Sequence, residues 1–206
     1  MTTATGRRRL CSTFSDPWRS SVEADWAVEI GADLPSIVVP WEGFRNLRVE
    51  PGAASHLPEV AAYPALIHIL QHMNSAASPL LTSKCDVWPL GPEEIDPFEF
   101  EASHTSCTAG LASYIDVITL QPACFSSFQW HEKWAAHLVA ELRSRAIRQA
   151  RVDLVLRAAS YEGADGFGMT LYAAACGSDS QSVIPIWQTV LEAASDATIR
   201  TGSTGE

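Results

Sequence analysis

The sequence predicts a single α+β domain, in which an antiparallel or mixed sheet of about four to six strands carries its helices mainly on one face. Two observations lead to this prediction. Short stretches in which apolar and polar residues alternate, as in half-buried strands, recur along the chain. Stretches with apolar residues at helical spacing separate them, in the order helix, strand, strand, helix, strand, strand, helix. Two similar helix-strand-strand halves are therefore also predicted.

The N-terminal part predicts two strands and a helix. In residues 25–30, Trp26 and Val28 alternate with more polar neighbours, and residues 37–41 form a second short strand in which Pro40 favours a sheet edge. The first helix is predicted over residues 58–74. Its apolar face consists of Leu66, Ile69, Leu70 and Met73.

The rest of the chain predicts four strands and two helices. The strands cover residues 80–88, 110–120, 151–159 and 167–176, and the helices cover residues 126–149 and 181–199. Between the first two of these strands, residues 89–107 contain three prolines and five carboxylates, which predicts an acidic surface loop. Gly163 and the Asp165-Gly166 step favour a tight antiparallel hairpin between the last two strands.

Length and composition are typical of one globular domain. The chain has 206 residues, of which 47% are hydrophobic and 18% charged. We expect flexible tails at residues 1–16 and 201–206 and the α+β domain between them, at residues 17–200. A net charge of -10 disfavours nucleic-acid binding, which depends on lysine and arginine contacts with phosphate. No apolar run has the length that crosses a membrane.

The cysteines predict neither a disulfide framework nor a zinc ribbon. The chain has five, widely spaced and without a C-x-x-C pair. Cys85, Cys124 and Cys176 lie in apolar runs, where a free thiol behaves as a small buried hydrophobe. We therefore predict a reducing, cytoplasmic location. Arg7 to Arg9 are not followed by the apolar segment that an export signal requires.

Alternation along the strands divides their side chains between two faces of the sheet. One face is apolar and is expected to carry the helices. The other is polar and aromatic, and it also includes Lys84, Arg151 and Thr170. Tyrosine, tryptophan and arginine are enriched where partners dock, so this face is the predicted binding surface, whereas a merely solvated face with Asp–Arg pairs is the alternative. The predicted binding residues are Asp86, Trp88, Tyr114, Asp116, Asp153, Arg157 and Tyr172.

The leading functional hypothesis is a binding or interaction module without catalysis, such as an acidic immunity or accessory protein that neutralises a basic partner. Its partner is predicted to be a protein or a small-molecule ligand, and a homodimer is a further alternative. Phosphate-binding glycine motifs and nucleophile motifs are absent from the sequence. No catalytic residue or cofactor is assigned.

The rival hypothesis is a metal-dependent enzyme, with hydrolysis as the predicted reaction. Its ligands would be Asp86, Asp116 and Asp153 together, or His68 and His72, which stand four residues apart on the first helix. The third ligand of the histidine pair would come from the acidic loop. The candidates there are His104 and Cys107.

A third hypothesis is an enzyme without metal, in which Arg151 or Arg157 holds an anionic substrate and His104 or His131 transfers protons. His131 is also interpreted as a hydrogen-bonded core histidine, because it lies beside the apolar stripe of its helix. On the other side of that helix a second stripe predicts contact with the N-terminal segment or a second subunit. Its members are Trp130, Trp134, His137 and Glu141.

Overall fold

The structure, a computed structural model, describes residues 22–203 except 59, 61, 101 and 103–106. The described residues form one mixed sheet with its three longest helices on one face, which confirms the predicted fold class. The predicted tail at residues 1–16 lies outside the described residues. The strands are β1 (Glu23–Glu29), β2 (Ile37–Val39), β3 (Leu80–Leu90), β4 (Ala109–Thr119), β5 (Ala150–Tyr161) and β6 (Ala164–Gly177). The helices are α1 (Pro64–Met73), α2 (Pro122–Phe125), α3 (Phe128–Arg143) and α4 (Ser180–Ser203).

The strand order is β1-β5-β6-β4-β3, and β2 pairs with β5 beyond the end of β1. β1 and β2 run parallel to β5, whereas the other neighbours are antiparallel. The predicted order of helix, strand and strand occurs twice, as α1-β3-β4 and α3-β5-β6. Each unit contributes an antiparallel pair, and the two pairs meet where β4 lies beside β6.

The main core lies between the sheet and helices α1, α3 and α4. Alternation predicts its sheet side correctly: Val152, Leu154 and Leu156 are fully buried under the helices. The α4 side chain Trp187 is 1% exposed, and its Nε1 donates a hydrogen bond to Ser113 Oγ at 3.0 Å. The apolar face is therefore filled, and the opposite face of the sheet is the one available for function.

Two members of the second stripe of α3, Trp134 and Glu141, contact α4, an element that was not among the predicted partners of this stripe. Trp134 is buried, and its Nε1 donates to Thr201 Oγ1 at 2.9 Å. Glu141 accepts hydrogen bonds from Arg145 and from Arg200 of α4. Because of these contacts α4 continues through Ser203, past the predicted start of the C-terminal tail at 201.

The β5-β6 hairpin turns at Glu162-Gly163, which includes the predicted Gly163 and lies three residues before the Asp165-Gly166 step. Both turn residues have positive φ angles, 50° and 82°, as the tight turns favoured in hairpins require. Gly166 instead lies in β6, where a Cβ atom would come within 2.6 Å of the Phe125 backbone oxygen. Its small size serves packing and not the turn.

Cys107 and Cys176 form a disulfide. It links the predicted acidic loop that follows β3, called the acidic segment below, to the end of β6. The prediction of a free thiol at Cys176 is therefore wrong, because strand pairing brings together two cysteines 69 residues apart in sequence. Cys85 and Cys124 are free.

The sheet curls at the end that contains β2. β2 pairs with β5, yet Ser83 Oγ of β3 also donates a hydrogen bond to Val38 O at 3.1 Å. Since β6 and β4 separate β5 from β3 in the sheet, these contacts require the helix-free face to be concave. Ile37 of β2 lies over Gly168, where an added Cβ would come within 3.0 Å of the isoleucine side chain.

Candidate functional site

The candidate site is a trough formed by the helix-free face of the curled sheet. One end is filled by a small apolar cluster under β2. This cluster consists of Ile37, Val39, Leu81, Ile118, Phe125 and Ala159. The other end is covered by the acidic segment, where Ile95 and Phe100 pack on the Cys107–Cys176 disulfide. Polar and aromatic side chains of five strands line the trough between these ends.

A cavity of about 540 Å³ lies at the β1 side of the trough. Its floor comes from β5 and its rim from β1 and the acidic segment, which contributes Phe98 and Glu99. Phe98 is 79% exposed at this rim. A pocket of this size falls in the range that accommodates a small ligand or a long side chain of a partner.

The strand register places one row of side chains directly across the trough. Asp25 lies opposite Asp153, Asp153 opposite Tyr172, Tyr172 opposite Tyr114, and Tyr114 opposite Asp86. The two tyrosine rings are 6.0 Å apart between centroids. Trp88 extends this aromatic group, with its ring centroid 6.3 Å from that of Tyr114. The row thus has carboxylates at both ends and aromatic rings in the middle.

Asp116 lies in the neighbouring row and is largely buried. It accepts a hydrogen bond from Thr170 Oγ1 at 2.6 Å. Burial raises the pKa of its carboxyl group, and the Thr170 hydrogen bond and the positive charges of Arg157 and Lys84 oppose that rise only in part. Burial and the charges of Asp116 and Asp86 raise the pKa of Tyr114 to about 12. Tyr114 is therefore a neutral phenol at physiological pH.

Two arginines of the trough, Arg151 and Arg157, are held by carboxylates. Arg151 Nε contacts Asp153 Oδ2 at 2.6 Å, and the same guanidinium pairs with Glu99 of the acidic segment. Arg157 Nη2 contacts Glu29 Oε2 at 3.2 Å and donates to the Tyr172 hydroxyl at 3.2 Å. Its Nε is buried and has no hydrogen-bond partner among the described residues.

Carboxylates outnumber cations in the trough. The carboxylates are Glu23, Asp25, Glu29, Asp86, Glu99, Asp116 and Asp153, and the cationic side chains are Arg45, Lys84, Arg151 and Arg157. Asp25 and Asp86 each accept a hydrogen bond from the next backbone N–H, and no ion pair involves either within the described part of the chain. The surface is therefore negatively charged although Arg151 and Arg157 are paired.

All seven predicted binding residues lie on this face. Asp86, Tyr114, Tyr172 and Asp153 share the central row, Trp88 is beside it, and Asp116 and Arg157 lie on the β2 side. Three further residues complete the site and were not predicted from the sequence: Asp25, Glu29 and Glu99. The alternation in β1 places Asp25 and Glu29 on the same side of that strand. No local sequence pattern, however, shows that β1 pairs with β5.

Neither predicted metal site is assembled among the described residues, and the suggested ligand His104 lies outside them. Asp86 and Asp153 are separated by two strands, β6 and β4, and Asp116 lies in a different row. His72 Nδ1 is 3.6 Å from Asp196 Oδ1, and Cys107, a suggested third ligand, is in the disulfide. Within residues 22–203, the described part contains no cluster of three side chains suited to a metal ion.

The histidines of the third hypothesis do not reach the trough. His131 is fully buried under α3 on the opposite side of the sheet, and its Nδ1 donates to Ser127 O at 2.9 Å, which confirms the core interpretation. His104 lies outside the described residues. An acid–base role for His131 beside Arg151 or Arg157 is excluded by this geometry.

Comparison with known protein families, with curated proteins and with solved structures finds no match for this chain. Among the described helices, none combines the length and the apolar character needed to cross a membrane.

Proposed function

We propose that this protein is a binding module whose trough holds an arginine-bearing segment of a basic protein partner. The observation that carries the proposal is the central row, in which Tyr172 and Tyr114 lie between Asp153 and Asp86. A guanidinium group stacks on aromatic faces and also donates two parallel hydrogen bonds to a carboxylate. In the central row, aromatic rings for stacking and carboxylates for pairing lie on neighbouring strands, so one arginine side chain can contact both.

The charge of the site supports a cationic ligand over an anionic one. Arg151 and Arg157 are already paired with Glu99, Asp153 and Glu29, so they offer little positive charge to a phosphate or carboxylate. The net charge of -10 also favours encounter with a basic partner. An immunity or accessory protein that neutralises such a partner agrees with these properties.

A cytoplasmic location remains a prediction. It was based on free cysteines, and the Cys107–Cys176 disulfide weakens that argument because disulfides persist mainly in oxidising compartments.

A binding assay with a defined peptide tests the proposal. The probe is a fluorescein-labelled arginine-glycine repeat peptide, and its matched control has citrulline in place of arginine, which removes the charge but keeps the shape. Fluorescence anisotropy should detect binding of the arginine peptide only. Since single exposed ion pairs and cation–π contacts each contribute roughly 0.5–1 kcal/mol, Asp86→Asn and Trp88→Ala should each weaken binding about two- to fivefold.

A charge change elsewhere provides the matched control. Glu192 is exposed on α4, on the helical side of the sheet, where it accepts a hydrogen bond from Gln188. Glu192→Gln removes the same charge as Asp86→Asn and should leave the affinity unchanged. Equal losses from both substitutions would show that the peptide responds to overall charge, and the trough assignment would then be wrong.

A further inference from the structure

We propose that the N-terminal segment, residues 1–21, docks in the trough of its own chain and competes there with the basic partner. The inference rests on the proposed function, because it requires the trough to bind arginine side chains. It adds a regulatory step, in which the partner must displace a segment of the same chain.

The charges of the chain are strongly segregated. Residues 1–21 contain Arg7, Arg8, Arg9 and Arg19 against the single acid Asp16, a net charge of +3. Residues 22–206 contain 10 lysines and arginines against 23 aspartates and glutamates, a net charge of -13. The N-terminal segment therefore has the chemistry that the trough is proposed to recognise.

The described chain begins at the trough. Val22 N donates to Arg145 O at 3.4 Å, and the next two outward-facing residues, Glu23 and Asp25, line the cavity of the trough. Asp25 is also the first residue of the central row. The segment with the four arginines is thus joined directly to the β1 rim of the site.

The length of the segment is sufficient to cross the trough. The residues between Arg9 and Glu23 span up to roughly 45 Å when extended. Five neighbouring strands, from β1 to β3, are about 19 Å wide at a spacing of about 4.8 Å. Arg7, Arg8 and Arg9 therefore reach both ends of the central row, from Asp25 to Asp86.

The effect of the tethered segment on the affinity for an external competitor can be predicted. A segment tethered to its site acts at an effective concentration on the order of millimolar. If its own affinity is on the order of 0.1 mM, it weakens the binding of an external competitor about tenfold. Salt should remove the effect, because it screens interactions between charges at a surface.

The experiment uses the full chain with Arg7→Gln, Arg8→Gln and Arg9→Gln combined, and the arginine-glycine repeat peptide as the probe. The expected result is about tenfold tighter peptide binding than in the wild-type chain at about 50 mM NaCl, and no difference at about 1 M NaCl. The control combines Arg7→Lys, Arg8→Lys and Arg9→Lys, which keeps the charge, and should bind the peptide within about threefold of wild type.

A second measurement detects the contact without any peptide. Amide spectra of the ¹⁵N-labelled full chains should differ between the wild type and the glutamine variant at β1, β4 and β6 positions of the trough, and should coincide on α4. Equal peptide affinities together with unchanged trough resonances would overturn the inference and leave the proposed function intact. Absence of peptide binding to both chains would overturn the proposed function, and the spectra would still decide whether the segment occupies the trough.

Discussion

Asp116 combines a buried carboxylate with a position in the trough, and this combination costs stability. Burial raises its pKa, so the folded state binds a proton more readily than the unfolded chain does. The free energy of unfolding therefore falls as the pH rises from the unfolded value of about 3.9 through the folded pKa. The cost is therefore larger at neutral pH than at acidic pH. Such a cost is typical of a functional position in a binding site.

Asp116→Asn should stabilise the protein at neutral pH. The amide stays uncharged, and its oxygen still accepts the hydrogen bond from Thr170. Urea denaturation at about pH 7 should show a gain of roughly 0.5–2 kcal/mol, which shrinks as the pH is lowered toward about 4. Asp86→Asn, an exposed change on the same face, should alter stability by less than about 0.5 kcal/mol. A loss of stability in Asp116→Asn would contradict the assigned cost.

His131 gives the opposite pH dependence. It is fully buried, and Nδ1 donates to Ser127 O. Burial lowers its pKa, so the folded state keeps the ring neutral. Below the unfolded value of about 6.5 the unfolded chain binds a proton that the folded state excludes, and stability decreases as the pH falls.

Replacement of His131 should remove this pH dependence. In the wild type, the free energy of unfolding from urea titrations should fall by up to about 1.4 kcal/mol per pH unit below about pH 6.5. His131→Leu should have a shallower slope over the same interval, whereas the exposed His137→Gln should keep the wild-type slope. Parallel curves for all three proteins would show that other groups cause the dependence.

At the level of elements, the acidic segment after β3 is held over the trough by two contacts. Cys107 bonds to Cys176, and Glu99 pairs with Arg151 of β5. Ile95 and Phe100 pack between these contacts. The disulfide therefore fixes one wall of the site as well as closing a long loop of the chain.

Loss of the disulfide should lower stability and alter the trough. A closed loop of 69 residues corresponds to roughly 4 kcal/mol in the chain-entropy account, and removal of a native disulfide typically costs about 2–5 kcal/mol. The double change Cys107→Ala and Cys176→Ala should reduce the free energy of unfolding by about 2–4 kcal/mol. A reducing agent should destabilise the wild type by a similar amount and leave the double variant unaffected. If reduction had no effect on the wild type, the disulfide would not be present in solution.

The elements and their faces could be predicted because alternation and helical spacing are local properties. The polar residues of β3 to β6 were assigned to the correct face for this reason. Apart from the β5-β6 hairpin, strand neighbours could not be predicted, since Asp25 and Asp153 are far apart in sequence and meet only through the parallel pairing of β1 with β5. The disulfide and the contact of Trp134 with α4 were missed for the same reason. Both depend on distant elements that the fold brings together.

Charge is unevenly distributed over the whole molecule. The N-terminal residues are basic and the rest of the chain is acidic. Within the trough, Arg151 and Arg157 are paired, and carboxylates outnumber cationic side chains. If the trough binds basic segments through this charge, its affinity should depend strongly on ionic strength, because the Debye length falls from about 10 Å at 0.1 M salt to about 3 Å at 1 M. Binding driven by apolar contact with Phe98, Trp88 and the tyrosines would instead change little with salt.

The affinity of the full chain for the arginine-glycine peptide should therefore fall at least tenfold between about 50 and 500 mM NaCl. In the chain with Asp25→Asn and Asp86→Asn, the fall should be smaller, because two carboxylates at the ends of the central row no longer contribute. Glu192→Gln should retain the wild-type dependence, since its carboxylate lies outside the trough. Titrations by anisotropy at four or five salt concentrations give the slopes directly. Identical slopes for the double variant and the wild type would mean that the peptide binds elsewhere, because charge removed from the central row could not then be part of its site.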